Sequence, residues 1–183
     1  MAAKAINEKK VIDTSLESSV VEILLEKGYT ITTAESCTGG LVSATIVNVP
    51  GSSSVFNQAF VTYANEAKRK ALGVKKSTLK KHGAVSKKTA KEMALGALKA
   101  AKADVAIATT GIAGPGGGTL EKPVGLVYIA CAVGKHVKVK KCQFDGSRSE
   151  VRNSTVETAL SLVVECLQND DKTAKNKSKN KNK

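Results

Sequence analysis

Ser36 is the residue whose surroundings most invite chemistry. It stands in the run Ala34-Glu35-Ser36-Cys37-Thr38-Gly39-Gly40, between a segment that reads as a strand and one that reads as a helix. A hydroxyl at such a bend meets backbone N–H groups left free at the helix start and the positive end of the helix dipole. The Thr38 and Gly39 amides can therefore stabilise an oxyanion formed beside it. Glycines, Gly40 included, let a substrate approach the backbone. Serine is also a favoured helix cap, so a nucleophile has to be argued from a base. Only His82 and His136 are present, one after a lysine-rich stretch and one beside a predicted hairpin turn, which leaves a Ser-His-Asp triad little to draw on. A lysine is the alternative. In VTYANEAK, residues 61–68, Lys68 falls just inside a helix that Asn65 can cap, and Tyr63 ends the strand before it. Dipole and burial there disfavour the ammonium and move its pKa toward a useful range, while Tyr63 can relay a proton or orient the amine. The competing reading of Lys68 is a solvated helix lysine.

A second chemical feature is the loop Thr110-Gly111-Ile112-Ala113-Gly114-Pro115-Gly116-Gly117-Gly118-Thr119. It has neither the GK[ST] of a P-loop nor a following helix in GxGxxG register, so its backbone is either a concave anion site or a flexible connection. Arg148 and Arg152 open the last predicted helix, where cations oppose the dipole. Phosphate or carboxylate binding explains that placement, and so does surface pairing with Glu150 or Glu157. The cysteines, Cys37, Cys131, Cys142 and Cys166, lack CxxC or His-rich spacing, which argues for free thiols and against a zinc site.

The elements that must position these groups follow from periodicity. Residues 14–28 form an amphipathic helix that Thr14 or Ser15 caps and Gly28 stops, 29–36 a strand, and 41–49 a helix closed by Pro50-Gly51. A strand over 58–63, a short helix over 65–73 and a longer helix over 86–102, capped by Ser86, come next. The strand 103–111 enters the glycine loop, and strands 123–133 and 136–144 make a hairpin about Gly134-Lys135. A helix over 149–167 ends the domain. This alternation predicts a three-layer α/β/α sandwich with a mixed, mostly parallel sheet, whose site lies beyond the carboxyl ends of the strands.

At 183 residues the chain holds one domain, placed at 13–168, between a flexible N-terminus (1–12) and a disordered lysine-rich tail (169–183). Aromatic residues make up 3%, so the core is built from Ala, Val, Ile and Leu. No apolar run suits a membrane span or a signal peptide, which sets the expectation of a cytoplasmic protein with no membrane partner. Of the net charge of +13, the last fourteen residues supply six Lys against two Asp, and residues 66–102 carry eleven Lys and one Arg against two Glu. Solvated helix faces account for the latter. No aromatics interleave with those lysines, as single-strand binding would favour.

Taken together, the segments resemble the CinA C-terminal domain family, characterised as nicotinamide-nucleotide amidohydrolases. The resemblance spans about residues 16–167 and rests on AESCTGG (34–40), VPGSSSVF (49–56), VTYANEAK (61–68), LGV (72–74), HGAVS (82–86), TGIAGPGGGTLEKPVG (110–125) and FDGSRSEVR (144–152). It implies hydrolysis of nicotinamide mononucleotide to nicotinic acid mononucleotide and ammonia without metal or cofactor. Ser36 falls at the nucleophile and Tyr63 and Lys68 at its partners, while Thr38 and Gly39 would serve the oxyanion. Gly40, Thr110, Gly111, Ala113, Gly114 and Arg148 would bind the substrate. Where the family commonly reads GDR, this chain reads Gly146-Ser147-Arg148. It is expected to be the stand-alone form. Assembly into a homo-oligomer, and weak nucleic-acid or polyanion binding through the tail, are further expectations. A non-catalytic nucleotide-binding or regulatory protein, and a serine amidase for another small carboxamide, are the competing functions.

Overall fold

The computed structural model describes residues 15–181, with side chains as far as Asp170. The expected N-terminal segment, 1–12, lies outside the described residues. Helices α1 (Leu16–Lys27), α2 (Leu41–Val47), α3 (Asn65–Leu72), α4 (Lys76–His82), α5 (Lys87–Ala101) and α6 (Arg148–Lys181) alternate with strands β1 (Ile31–Glu35), β2 (Phe56–Val61), β3 (Val105–Gly111), β4 (Leu126–Val133) and β5 (His136–Gln143). Ser15 caps α1 by accepting from the Ser18 amide, Ser86 caps α5 by accepting from Thr89, and Gly28 ends α1 in a left-handed conformation.

The strands form one sheet in the order β2-β1-β3-β4-β5. β1 pairs in parallel with β2 and β3, while β3/β4 and β4/β5 are antiparallel, so β4 alone runs against the others. The sheet is thus mixed, as expected.

Alternation along the strands divides the core into two chemically different layers. Val105, Ile107, Val127, Ile129 and Cys131 face α1, α2 and α6, and pack with Val20, Leu24, Ile46, Leu160 and Val163. Their neighbours Ala106, Ala108, Ala130 and Ala132 face the other way, against Ala90, Met93, Ala94 and Ala97 of α5. An alanine surface on both partners lets α5 lie close to the sheet without aromatic filler, which is how a chain this poor in aromatics closes its core.

Gly96 extends that close approach to α3. A Cβ at Gly96 would lie 1.9 Å from the Leu72 carbonyl oxygen, so α3 can pack here only against a glycine. The contact fixes the helix that carries Lys68.

Three elements differ from the sequence reading. α4 was not foreseen, because KKSTLKKH offers a single apolar residue and hence no helical period; Thr78 and Leu79 hold it instead, Thr78 bonding Glu92 of α5 at 2.7 Å. Ala64, not Asn65, occupies the cap position of α3, and Asn65 is its first helical residue. The backbone of α6 continues as helix to Lys181, past residue 168 where the domain was expected to give way to a disordered tail, and Tyr29 donates to Asp170 on that continuation at 3.1 Å.

Candidate active site

The parallel register brings three strand ends to one place. Glu35 of β1 lies opposite both Val61 of β2 and Thr109 of β3. The chain leaves this edge on both sides of Ser36: the Ser36 amide donates to the Thr109 carbonyl at 3.0 Å and the Thr62 amide to the Glu35 carbonyl at 2.8 Å. Ser36, Cys37, Tyr63, Lys68, Thr110, Gly111, Ala113 and Arg148 line one cavity of about 210 Å³, with Ala84 and Val85 between α4 and α5 completing it.

Lys68 is 1% exposed, one of the largest fully buried side chains among the described residues. Its Nζ lies 3.0 Å from Ser36 Oγ, 2.7 Å from the Thr62 carbonyl and 3.0 Å from the Tyr63 carbonyl. Burial pulls its pKa down from 10.5 to about 8. Carbonyls only accept, so in the neutral amine they claim the two N–H groups and leave the lone pair to the Ser36 hydroxyl. The amine is thereby aimed as a base.

Cys37, next in sequence, is different. Burial pushes its thiol up to about 11, so it stays protonated and weakly nucleophilic at neutral pH. Neither histidine lines the cavity.

Glu35, which the sequence reading passed over, explains the turn. Its fully buried carboxylate accepts from the amides of Gly40 (2.9 Å), Val42 (3.1 Å) and Ser43 (2.9 Å) and from the Ser43 hydroxyl (2.6 Å). The N-terminus of α2 is therefore capped by Glu35, and Ser36 is free of that task. Gly40 consequently does not line the cavity: its amide is spent and its φ of 102° serves the turn into α2. An acidic residue just before the bend was the available signal.

The remaining expected residues separate in the same way. Thr38 is fully buried, its hydroxyl bonded to that of Thr109 at 2.7 Å, and neither it nor Gly39 lines the cavity. What the turn offers is backbone. The amides of Thr38 and Gly39 have no protein oxygen as acceptor among the described residues. Gly114 also lies off the cavity wall, and its carbonyl accepts from Arg148 Nη1 at 2.8 Å. Arg148 Nη2 donates to the Tyr63 hydroxyl at 3.1 Å, so the Tyr63 side chain, 63% exposed, holds Arg148 at the mouth, while its carbonyl orients the amine. Gly116, Gly117 and Gly118 face a separate open hollow.

Ser147, where the resemblance implies an acid, still serves the helix start. The Ser147 amide donates to Glu150 at 2.7 Å and the Glu150 amide to Ser147 Oγ at 3.4 Å, a reciprocal cap at the start of α6. Glu150 is thus engaged by Ser147 rather than by Arg148 or Arg152. Among the described residues there is no cluster of His, Cys, Asp and Glu fit for a metal ion, and no helix is long and apolar enough to cross a membrane.

Comparison with known proteins finds relatives of this chain in sequence and in fold. The model of the CinA C-terminal domain matches residues 13–167. A CinA-like protein of Kosmotoga olearia is 54% identical over 155 residues, covering 85% of this chain and 38% of that protein. The chain spans under two fifths of the length of the curated relatives it matches. Among solved structures, the competence/damage inducible protein CihA from Agrobacterium tumefaciens is similar at a TM-score of 0.81 and 45% identity, over 84% of this chain and 93% of that one. A CinA superfamily protein from Klebsiella pneumoniae is similar at a TM-score of 0.82 and 36% identity, over 84% and 96%.

Proposed function

The chain belongs to the CinA C-terminal domain family, and from that premise we propose that it is a serine amidohydrolase that deamidates nicotinamide mononucleotide to nicotinic acid mononucleotide and ammonia. The observation that carries the proposal is the Lys68 amine, buried, held by two carbonyls and 3.0 Å from Ser36 Oγ. A buried lysine with a pKa near 8 is neutral in a useful fraction at physiological pH, which a solvated lysine is not.

In the proposed cycle Ser36 Oγ attacks the carboxamide carbon as its proton passes to Lys68. The oxyanion of the tetrahedral intermediate takes its hydrogen bonds from the backbone amides that follow Ser36, whose own amide is bound to the Thr109 carbonyl. The Lys68 ammonium, still tied to Thr62 and Tyr63, gives its third proton to the departing nitrogen, and ammonia leaves an acyl-Ser36. Water then attacks the ester, its proton going to Lys68 and from there back to Ser36 as the acid is released. No step calls for a metal or an organic cofactor. Arg148, exposed at the mouth with two of its five donors committed, suits the phosphate of a nucleotide.

Ammonia release from the purified chain tests this, using nicotinamide mononucleotide, its dephosphorylated riboside and free nicotinamide. The proposal expects stoichiometric ammonia and carboxylate from the mononucleotide and a weaker kcat/KM for the riboside. Hydrolysis of an unrelated carboxamide alone would leave a serine amidase and overturn the substrate; nucleotide binding with no turnover of any amide would favour the non-catalytic reading.

A further inference from the structure

We propose that Arg152 is a positioning residue that sets the oxyanion-binding face of the Ser36 turn from behind, an inference that rests on the serine-hydrolase reading of the site. Arg152 sits one helical turn into α6, does not line the cavity, and is part-buried. Its Nε donates to the Cys37 carbonyl at 3.2 Å and its Nη2 to the Thr38 carbonyl at 2.7 Å. Nη2 also lies 3.8 Å from where a Cβ on Gly39 would be, so the guanidinium rests against the turn itself.

Peptide planarity makes this contact consequential. In a trans peptide the carbonyl and the next N–H point in opposite directions. Fixing the Cys37 and Thr38 carbonyls on Arg152 directs the Thr38 and Gly39 N–H groups away from α6. Like the Cys37 amide, which lies at the cavity, these have no protein oxygen acceptor among the described residues. Glu35 closes the alternative source of donors by taking the Gly40, Val42 and Ser43 amides. The turn thus depends on a forked donor that binds two adjacent carbonyls at once, which a guanidinium does and an ammonium does poorly. A cation bonded to the carbonyl end of a peptide also polarises its N–H toward a stronger donor.

This explains two arginines at the start of α6, a placement the helix dipole disfavours. Arg148 turns outward to the mouth and Arg152 inward to the back of the turn. No carboxylate is paired with Arg152 among the described residues, so its charge remains directed at the turn.

The test is the rate at which a fluorophosphonate labels Ser36 in the full chain. An Oγ–P bond forms, the P–F bond breaks, fluoride leaves and the serine proton goes to Lys68, with negative charge on the phosphoryl oxygen as it reacts. Arg152→Ala should label roughly 10²-fold more slowly. Arg152→Lys should fall in between, added guanidinium should partly restore the alanine variant, and the pH midpoint should stay at the wild-type value because Lys68 is untouched. Labelling of both variants within about threefold of wild type would overturn the role. So would a loss that neither the lysine variant nor guanidinium relieves. A wild-type chain that labels at Ser36 but releases no ammonia from any nicotinamide nucleotide would sink the substrate reading and leave the Arg152 comparison intact. A wild-type chain that fails to label at Ser36 would overturn the Arg152 role.

Discussion

Lys68 Nζ lies 3.0 Å from Ser36 Oγ, and its other contacts are carbonyl oxygens, those of Thr62 and Tyr63. Both carbonyls follow β2, whose pairing with β1 also places Ser36, so the sheet register fixes the base and the nucleophile together.

Ser36→Ala should reduce ammonia release to the uncatalysed background. The position is held by its backbone bond to Thr109, so the melting temperature should move by a few degrees at most. Substantial turnover by this variant would remove Ser36 from the mechanism.

Cys37 should behave as a shielded thiol. With its pKa pushed up to about 11, alkylation by iodoacetamide should accelerate about tenfold per pH unit across the neutral and mildly alkaline range. A rate that levels off near neutrality would reveal a thiolate and make Cys37 a rival nucleophile.

Gly96→Ala probes the packing that carries Lys68. Its Cβ would meet the Leu72 carbonyl oxygen at 1.9 Å, forcing α3 away from α5, at a cost of about 1–3 kcal/mol. Urea unfolding should register the loss and kcat should fall with it, since Lys68 lies one turn before Leu72. Unchanged stability and rate would mean that α3 has room the packing does not suggest.

Stability should also carry the signature of Lys68. In the unfolded chain the amine titrates near 10.5 and in the fold near 8, so between those values only the unfolded chain binds the proton. Unfolding becomes harder as pH rises through that window. Wild type should therefore gain stability relative to Lys68→Met from about pH 8 to about 10.5, by about 3 kcal/mol in all. A difference that is flat or falls with pH would contradict the buried, lowered amine.

The strand order of events around Ser36 was readable because alternation and the two glycine turns mark β1, β3 and the β4–β5 hairpin clearly. Lys68 was readable from its place at a helix start, though desolvation is the first cause of its lowered pKa. Less visible were groups whose role is set by distant partners. Glu35 looks like an ordinary strand-end acid until three amides of α2 converge on it. Tyr63 was expected to relay a proton or orient the amine; it meets Lys68 through its backbone carbonyl, which the residue type does not announce, while its phenol meets Arg148. Gly40 and Gly114 were expected as substrate contacts, yet Glu35 takes the Gly40 amide and Arg148 takes the Gly114 carbonyl. Helix α4 was missed because its lysines hide any period, and contacts to α5 hold it.

The most direct test is the pH dependence of kcat/KM for ammonia release, in wild type and in Lys68→Arg. The account predicts a wild-type rate that rises with pH through one ionisation near 8, as the Lys68 ammonium loses its proton. Lys68→Arg, which keeps the charge but cannot deprotonate a serine, should lose nearly all activity at every pH, and His82→Ala should leave the midpoint in place. A Lys68→Arg enzyme with near-normal rate and the wild-type profile would contradict the Ser36–Lys68 mechanism.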